Sequence, residues 1–327
     1  MNLKTMITSL GLAAMATGAQ ATELKLADFS PPTHFVVEST YQPMMDAVAA
    51  ATDGEVTIRL YMGGELGPGP GEQYNRALDG VSDISFSLPG YTASNFPKTL
   101  LGELPGVLNG PAGTQSLMEN RELYADEFRR VQLLSLWNNA PNLLFMADTP
   151  VEKLEDLAGL NIRVPSRNAG LVVEAWGANP VSMPAPEIYN AMQTGVIDGA
   201  MIDATSLGGF KLGEVTGYVT QGMDTTVSEF FLVMNRDAFA DLTEEQQAAV
   251  LAAGEQAAMD GTNAWHSVAE KALAGFEATE GKTVITLSPE EAEKFNAASA
   301  GAIDAIIAEA EGQGIDARAI IDAFRHD

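Results

Sequence analysis

From Glu23 to Pro89 the chain alternates between two periodicities, and this restricts its fold more than any other feature. "ELKLADFS" places apolar residues at every second position, as a half-buried strand does. "PPTHF" then forms a turn that launches a helix over residues 34–51, inside which Pro43 removes a backbone donor and predicts a kink. "EVTIRLYM" returns to β-branched alternation, "GGELGPGPGEQ" is a loop, a helix follows over about 72–78, and "SDISFSLP" is a third strand. Strands separated by helices pair in parallel through crossover connections. In such sheets ligands collect beyond the carboxyl ends of the strands. Those ends are Phe29–His34, Met62–Gly64 and Ser87–Tyr91.

A second run of the same kind follows. "VQLLSLW" and "NLLFMAD" lead to a strand around Arg163, a helix from Ala169 to Trp176, "NPVSMP", a helix from Pro186 to Gln193, "IDGAMID" and "EFFLVMN". A long helical region begins at Leu242. Thr243 and Gln246 have the spacing of a capping box, and Ser288 with Glu291 repeats it before the last helices. A chain of 327 residues exceeds what one core usually covers. The expected fold class is α/β, with two lobes of mixed, mostly parallel sheets. No low-complexity linker separates them, so strands that cross between the lobes form the hinge. The expected partition is 22–144 plus 230–269 for lobe I and 145–229 plus 270–327 for lobe II.

The start of the chain reads as a leader. Lys4 is its positive region, Met6 to Thr17 its apolar stretch, and Ala19-Gln20-Ala21 its small-x-small cleavage site, so residues 1–21 are a signal peptide cut after Ala21. The chain has no cysteine, hence no disulfide and no lipid anchor through a cysteine. These features predict an exported protein held together by its core. A formal net charge of −26 repels nucleic acid and anionic lipid, so neither is an expected partner, and no membrane insertion is expected.

Catalytic patterns are missing. The three histidines, His34, His266 and His326, form no metal-ligand pair such as HExxH, and no GxSxG elbow occurs. The glycine-rich loop lacks the lysine and spacing of a P-loop, and Asp198 and Asp203 lack calcium-loop spacing. The chain is expected to be no enzyme and to carry no cofactor or metal. One residue does stand out. Arg163 interrupts the apolar run Leu160–Val164, which Pro165 closes. Arginine is rarely buried unless its charge is compensated. Either an internal carboxylate such as Glu174 or Asp156 does so, or an anion from outside does.

"EDLAGLNIRVP" followed by "GANPVSMPAPEIYNAMQTGVIDGA" resembles the signature of the DctP family, the solute-binding proteins of TRAP transporters. "GGELG", "ALDGVSDISF", "LPGVL" and "FLVMNRDAFADLTEEQQAAV" are similar to further family segments, in the family's order, over essentially the whole mature chain. The resemblance implies two lobes that close by a hinge over a small organic acid, with a long helix bracing both. It implies periplasmic delivery to a membrane permease of one small and one large subunit, with a monomeric receptor. It also implies that Arg163 binds the ligand carboxylate. Thr33, His34 and Phe35 would line the pocket from one strand end, and Ser87, Leu88 and Tyr91 from another, with Ser166 and Met183 from the second lobe.

Two departures bear on the ligand. Met201-Ile202-Asp203 stands where many members have a Glu-Asn pair, and "NNAPNLL" supplies no second arginine. Phe35, Leu88, Tyr91, Met183, Ile202 and Phe210 make the implied pocket apolar apart from one anion anchor. The expected ligand is therefore a monocarboxylate with a hydrophobic or aromatic body. A C4-dicarboxylate is the alternative ligand, and service to a sensor kinase or an ATP-driven importer the alternative partner.

Overall fold

A computed structural model describes residues 21–325. The leader expected over 1–21, apart from Ala21, and His326 lie outside the described residues. The chain builds two sheets. In the first, β1 (Thr22–Ala27), β2 (Val56–Tyr61) and β3 (Ile84–Ser87) run parallel in the order β2-β1-β3. β4 (Gln132–Asn138) then crosses to the second sheet, made of β5 (Leu143–Met146), β6 (Asn161–Val164), β7 (Asn179–Ser182), β8 (Gly199–Ile202) and β9 (Tyr218–Gln221). β10 (Glu229–Met234) returns to the first sheet between β3 and β4, and β11 (Thr283–Thr286) adds to the edge of the second. β5 and β10, which follow the direct β4-to-β5 and β9-to-β10 crossings, are antiparallel to both of their neighbours; the other pairs are parallel, including that of β11, which the chain reaches through a long helix.

The two crossings lie side by side and bond to each other. Asn139 donates its backbone N–H to the Ser228 carbonyl at 3.0 Å, and Asn142 to that of Thr226 at 3.1 Å. The side chains repeat the pairing: Ser228 N–H donates to Asn139 Oδ1 at 2.7 Å, and Asn142 Nδ2 to Thr226 Oγ1 at 3.1 Å. The buried amide and hydroxyl groups are thus satisfied where the chain has no sheet to pair with. This paired ribbon is where the chain passes directly between the two sheets.

The helix expected over 34–51 runs without a break from Val37 to Ala51, as a π-helical turn over Val37–Tyr41 and an α-helix over Gln42–Ala51. The π-helical turn lies just before Pro43, whose ring removes a backbone donor and disturbs the regular ladder there. The capping box at Thr243 and Gln246 forms in both directions, at 3.3 and 3.1 Å. Ser288 caps its helix through Glu291 N–H, but the Glu291 carboxylate turns to Lys294 instead of reaching back.

The helix that begins after Thr243 runs for 34 residues, Glu244–Glu277, about 50 Å at 1.5 Å per residue. Its first half packs on β4 and on the helices Gln42–Ala51 and Gly110–Glu119, and its end reaches β11. A strip of small residues, Ala253, Gly254, Ala257, Ala258 and Gly261, lets it approach β4 closely. The last helices were expected in lobe II. The helix Pro289–Gly312 does pack there through Phe295, but Ile306, Ile307, Ile320, Ile321 and Phe324 join the core of the first sheet with Leu117, Tyr124 and Phe128. The helix Pro289–Gly312 therefore ties the lobes together, and the last helix, Ala317–Phe324, packs in the first, a placement that their periodicity could not reveal.

Gly254 is where backbone contact decides the residue. A Cβ there would lie 2.7 Å from the Leu134 carbonyl oxygen, and backbone cannot move aside as a side chain can. Gly254→Ala should destabilise the protein by roughly 1–3 kcal/mol through overpacking, despite alanine's better helix propensity. Urea denaturation monitored by circular dichroism would measure it.

Candidate functional site

The carboxyl ends of β1, β3, β6 and β8 face one another across the cleft. The loop after β1 is fixed by Asp28, whose carboxylate is fully buried and accepts from Ser30 N–H and from the Tyr41 hydroxyl, both at 2.7 Å. Burial raises the Asp28 pKa to about 6. The loop after β2 does not reach the cleft. Gly63 and Gly64 donate instead to the carbonyls of Ser30 and Asp28, bracing the neighbouring loop.

Arg163 sits in β6 between β7 and β8 and is 1% exposed. Its Nε donates to the Met183 carbonyl at 2.8 Å, Nη1 to the Met201 carbonyl at 3.2 Å and Nη2 to the Tyr91 oxygen at 3.5 Å. None of these acceptors is charged, and Arg163 forms no ion pair among the described residues. Burial lowers its pKa, which the phenol of Tyr91 and the charge of Asp203 partly oppose. Guanidinium remains protonated even so. Asp156, a candidate internal partner, binds Glu152 and Lys153 N–H, and Glu174 is exposed. Of five N–H donors three are spent, leaving one on each terminal nitrogen. Such a pair matches the two oxygens of a carboxylate.

Tyr91 completes that end of the site. It follows β3 in the first lobe, yet its oxygen accepts from Ala185 N–H of the second lobe at 2.9 Å as well as from Arg163. Neither partner can accept, so the phenolic proton is available to a ligand. Asp203 is buried beside them with its oxygens occupied by Thr205 N–H at 2.9 Å, the Thr205 hydroxyl at 2.5 Å and Asn139 Nδ2 at 3.0 Å. Burial raises its pKa.

These groups border a cavity of about 40 Å³, room for roughly three waters. His34, Leu88, Tyr91, Arg163, Ile202, Asp203 and Phe210 line it, as do Phe29, Phe86, Phe230 and Trp265. Phe29 opens a strand end that the sequence had marked; the other three carried no signal there, since Phe86 and Phe230 look like ordinary strand core, and Trp265 lies deep within the long helix. Phe35, Ser87, Ser166 and Met183 do not line the cavity. Phe35 stacks behind His34 and Trp265 at 4.5 and 4.7 Å. Ser87 donates to the Pro70 carbonyl, and Met183 offers its backbone to Arg163. Ser166 caps the helix Arg167–Ala175 and donates to Glu103. Residues of a strand's end alternate sides, so only some of each expected group can point inward.

A family model described as bacterial extracellular solute-binding protein, family 7, matches residues 26–310. The chain belongs to the DctP family. Its members are periplasmic receptors of TRAP transport rather than enzymes; they bind small organic acids and work with TRAP permeases. Three solved TRAP solute-binding proteins share the fold of this DctP protein. One, from a marine metagenome and specific for aromatic acids, holds 3-hydroxybenzoate; it is 25% identical, with a TM-score of 0.88 over 93% of this chain and 97% of its own. Another, from Rhodoferax ferrireducens, holds copurified benzoate, at 26% identity and a TM-score of 0.85 over 93% and 96%. A third, from Bordetella bronchiseptica, holds both mandelate enantiomers, at 29% identity and a TM-score of 0.84 over 93% and 97%.

In this DctP protein a second lobe-to-lobe contact has its own electrostatics. Glu103 of the first lobe accepts the Ser166 hydroxyl of the second at 2.9 Å and is 2% exposed. Burial raises its pKa to about 8. Glu229, 1% exposed beside it, has no partner on either carboxylate oxygen, and burial next to Glu103 raises its pKa well above the ordinary carboxylate value. Folded Glu103 holds a proton that the unfolded chain, with an ordinary pKa near 4.5, releases. Its stabilising contribution is complete below about pH 4.5 and is lost as the pH rises to about 8. Glu103→Gln should therefore raise the melting temperature more at pH 8.5 than at pH 5. A pH series of differential scanning calorimetry on both proteins would show it.

Proposed function

We propose that this protein captures a monocarboxylate with an aromatic body in the periplasm, by closure of two hinged lobes, and delivers it to a TRAP permease. The observation that carries this reading is Arg163, a buried guanidinium with two uncommitted N–H groups and no internal counter-ion, at one end of a cavity walled by aromatic rings. One cationic anchor fits one carboxylate, and rings fit rings. The bound benzoate, 3-hydroxybenzoate and mandelate of the three structural relatives have this composition. Lobe closure removes water from around the anchor, which strengthens its attraction for the anion. In this reading the signal peptide is cut after Ala21, the mature receptor is a monomer, and the permease has a small and a large membrane subunit. Substrate leaves the receptor unchanged, since binding and release need no bond to break.

Calorimetry with a panel of benzoate, mandelate, phenylacetate and C4-dicarboxylates tests this. An aryl carboxylate should bind tightest; a C4-dicarboxylate in that place would overturn the assignment. Arg163→Ala should weaken binding by about 2–5 kcal/mol, roughly thirty- to several-thousand-fold, because the ligand anion is left buried without its partner. An undiminished affinity would remove Arg163 from the site. At a hundredfold excess over the dissociation constant the ligand should stabilise the folded protein by about 2.7 kcal/mol, measured as a rise in melting temperature.

A further inference from the structure

The anchor leaves a histidine of the same cavity unused. His34, 4% exposed, lines the cavity from the loop after β1. Its Nδ1 accepts the Val36 N–H at 3.4 Å, which assigns the proton of the neutral ring to Nε2. Burial lowers its pKa to about 4, so at neutral pH the ring is uncharged and Nε2–H can only donate. Nothing among the described residues accepts from it. It is not sealed off either: the partnerless Nε2 of His266 is enclosed by protein, whereas that of His34 is not. Trp265, with its ring 5.7 Å from His34, likewise lines the cavity with an indole N–H that has no acceptor among the described residues.

The position of His34 relative to the anchor follows from ring contacts. Tyr91, which touches Arg163, is 6.0 Å from Phe29; Phe29 is 5.5 Å from Phe86, Phe86 5.4 Å from Phe230, and Phe230 4.7 Å from Trp265. His34 comes next along this arc. It shares no hydrogen-bond or ring partner with Arg163. A ligand with its carboxylate at Arg163 and its ring against the arc extends towards His34. A bare hydrocarbon edge there would leave the donor desolvated and unpaired. Sites built around such a donor discriminate strongly against analogues that lack its partner.

We infer that His34 sets specificity by donating Nε2–H to an oxygen on the ligand, which is therefore an aryl carboxylate carrying a hydroxyl or carbonyl group away from its carboxylate. This rests on the aryl-carboxylate reading above. Gly209 is part of the arrangement: a Cβ there would lie 3.0 Å from Nε2 and 2.9 Å from the ring's Cδ2, so only glycine leaves that edge of the imidazole in place.

The test is a ratio of dissociation constants, measured by calorimetry on the full chain with benzoate and phenylacetate against their 3- and 4-hydroxy derivatives. In the wild type at least one hydroxy acid should bind tenfold or more tighter than its parent. His34→Phe, which keeps a ring and loses the donor, should bring that ratio close to one, and His34→Gln should restore part of it. Gly209→Ala, which presses a methyl on the Nε2 edge, should lower the ratio as well and decides the matter if His34→Phe does not fold. A wild-type ratio near one, or a ratio that the folded variants leave unchanged, overturns the role of His34. If benzoate binds without such a preference, only this inference falls. If no aryl carboxylate binds, it falls together with the function on which it rests.

Discussion

A guanidinium ion stripped of its water governs the site and much of the structure around it. Removing a charge from water costs several kcal/mol even after a protein relaxes around it. Arg163 recovers part of this from two carbonyls and a phenol, all neutral, and from the more distant charge of Asp203. In the proposed reading the remainder is recovered from the ligand's carboxylate, so that affinity is obtained at the expense of a better-satisfied core.

Closure is built from contacts that only two lobes together can make. Tyr91 reaches from the first lobe to Ala185 and Arg163 of the second, and Glu103 takes the Ser166 hydroxyl. Asn168 donates to the Leu100 carbonyl at 3.2 Å, and a Cβ on Gly90 would press on Ser166 at 3.0 Å. These contacts share no residue with the paired ribbon of residues 139–142 and 226–228, which has its own bonds. The long helix Glu244–Glu277 and the helix Pro289–Gly312 pack on both lobes.

Much of the fold was legible because periodicity is local. The strands "ELKLADFS", "EVTIRLYM" and "SDISFSLP" appear where the sequence placed them, and the Thr243 capping box forms as its spacing predicts. The π-helical turn before Pro43 has no sequence mark of its own. For the site, Arg163 and the strand ends were visible, since a charge in an apolar run is anomalous by composition alone. Phe35, Ser87, Ser166 and Met183 belong to the right segments but face other partners, because pointing inward depends on the twist and register of each strand end. Phe86, Phe230 and Trp265 could not be told from core residues until the sheets were in place.

By itself the sequence determined an α/β chain of two sheets, the strand that carries a lone cation, and the family whose pattern surrounds it, since each is encoded within short windows. Tertiary structure alone decided that among the described residues no carboxylate pairs with that cation, that a tyrosine from the opposite lobe meets it in part, and that His34 finds no acceptor for its donor. The reason is geometric. Pairing of buried groups is a property of distances between segments far apart in the chain, and those distances exist only once the lobes have folded and closed.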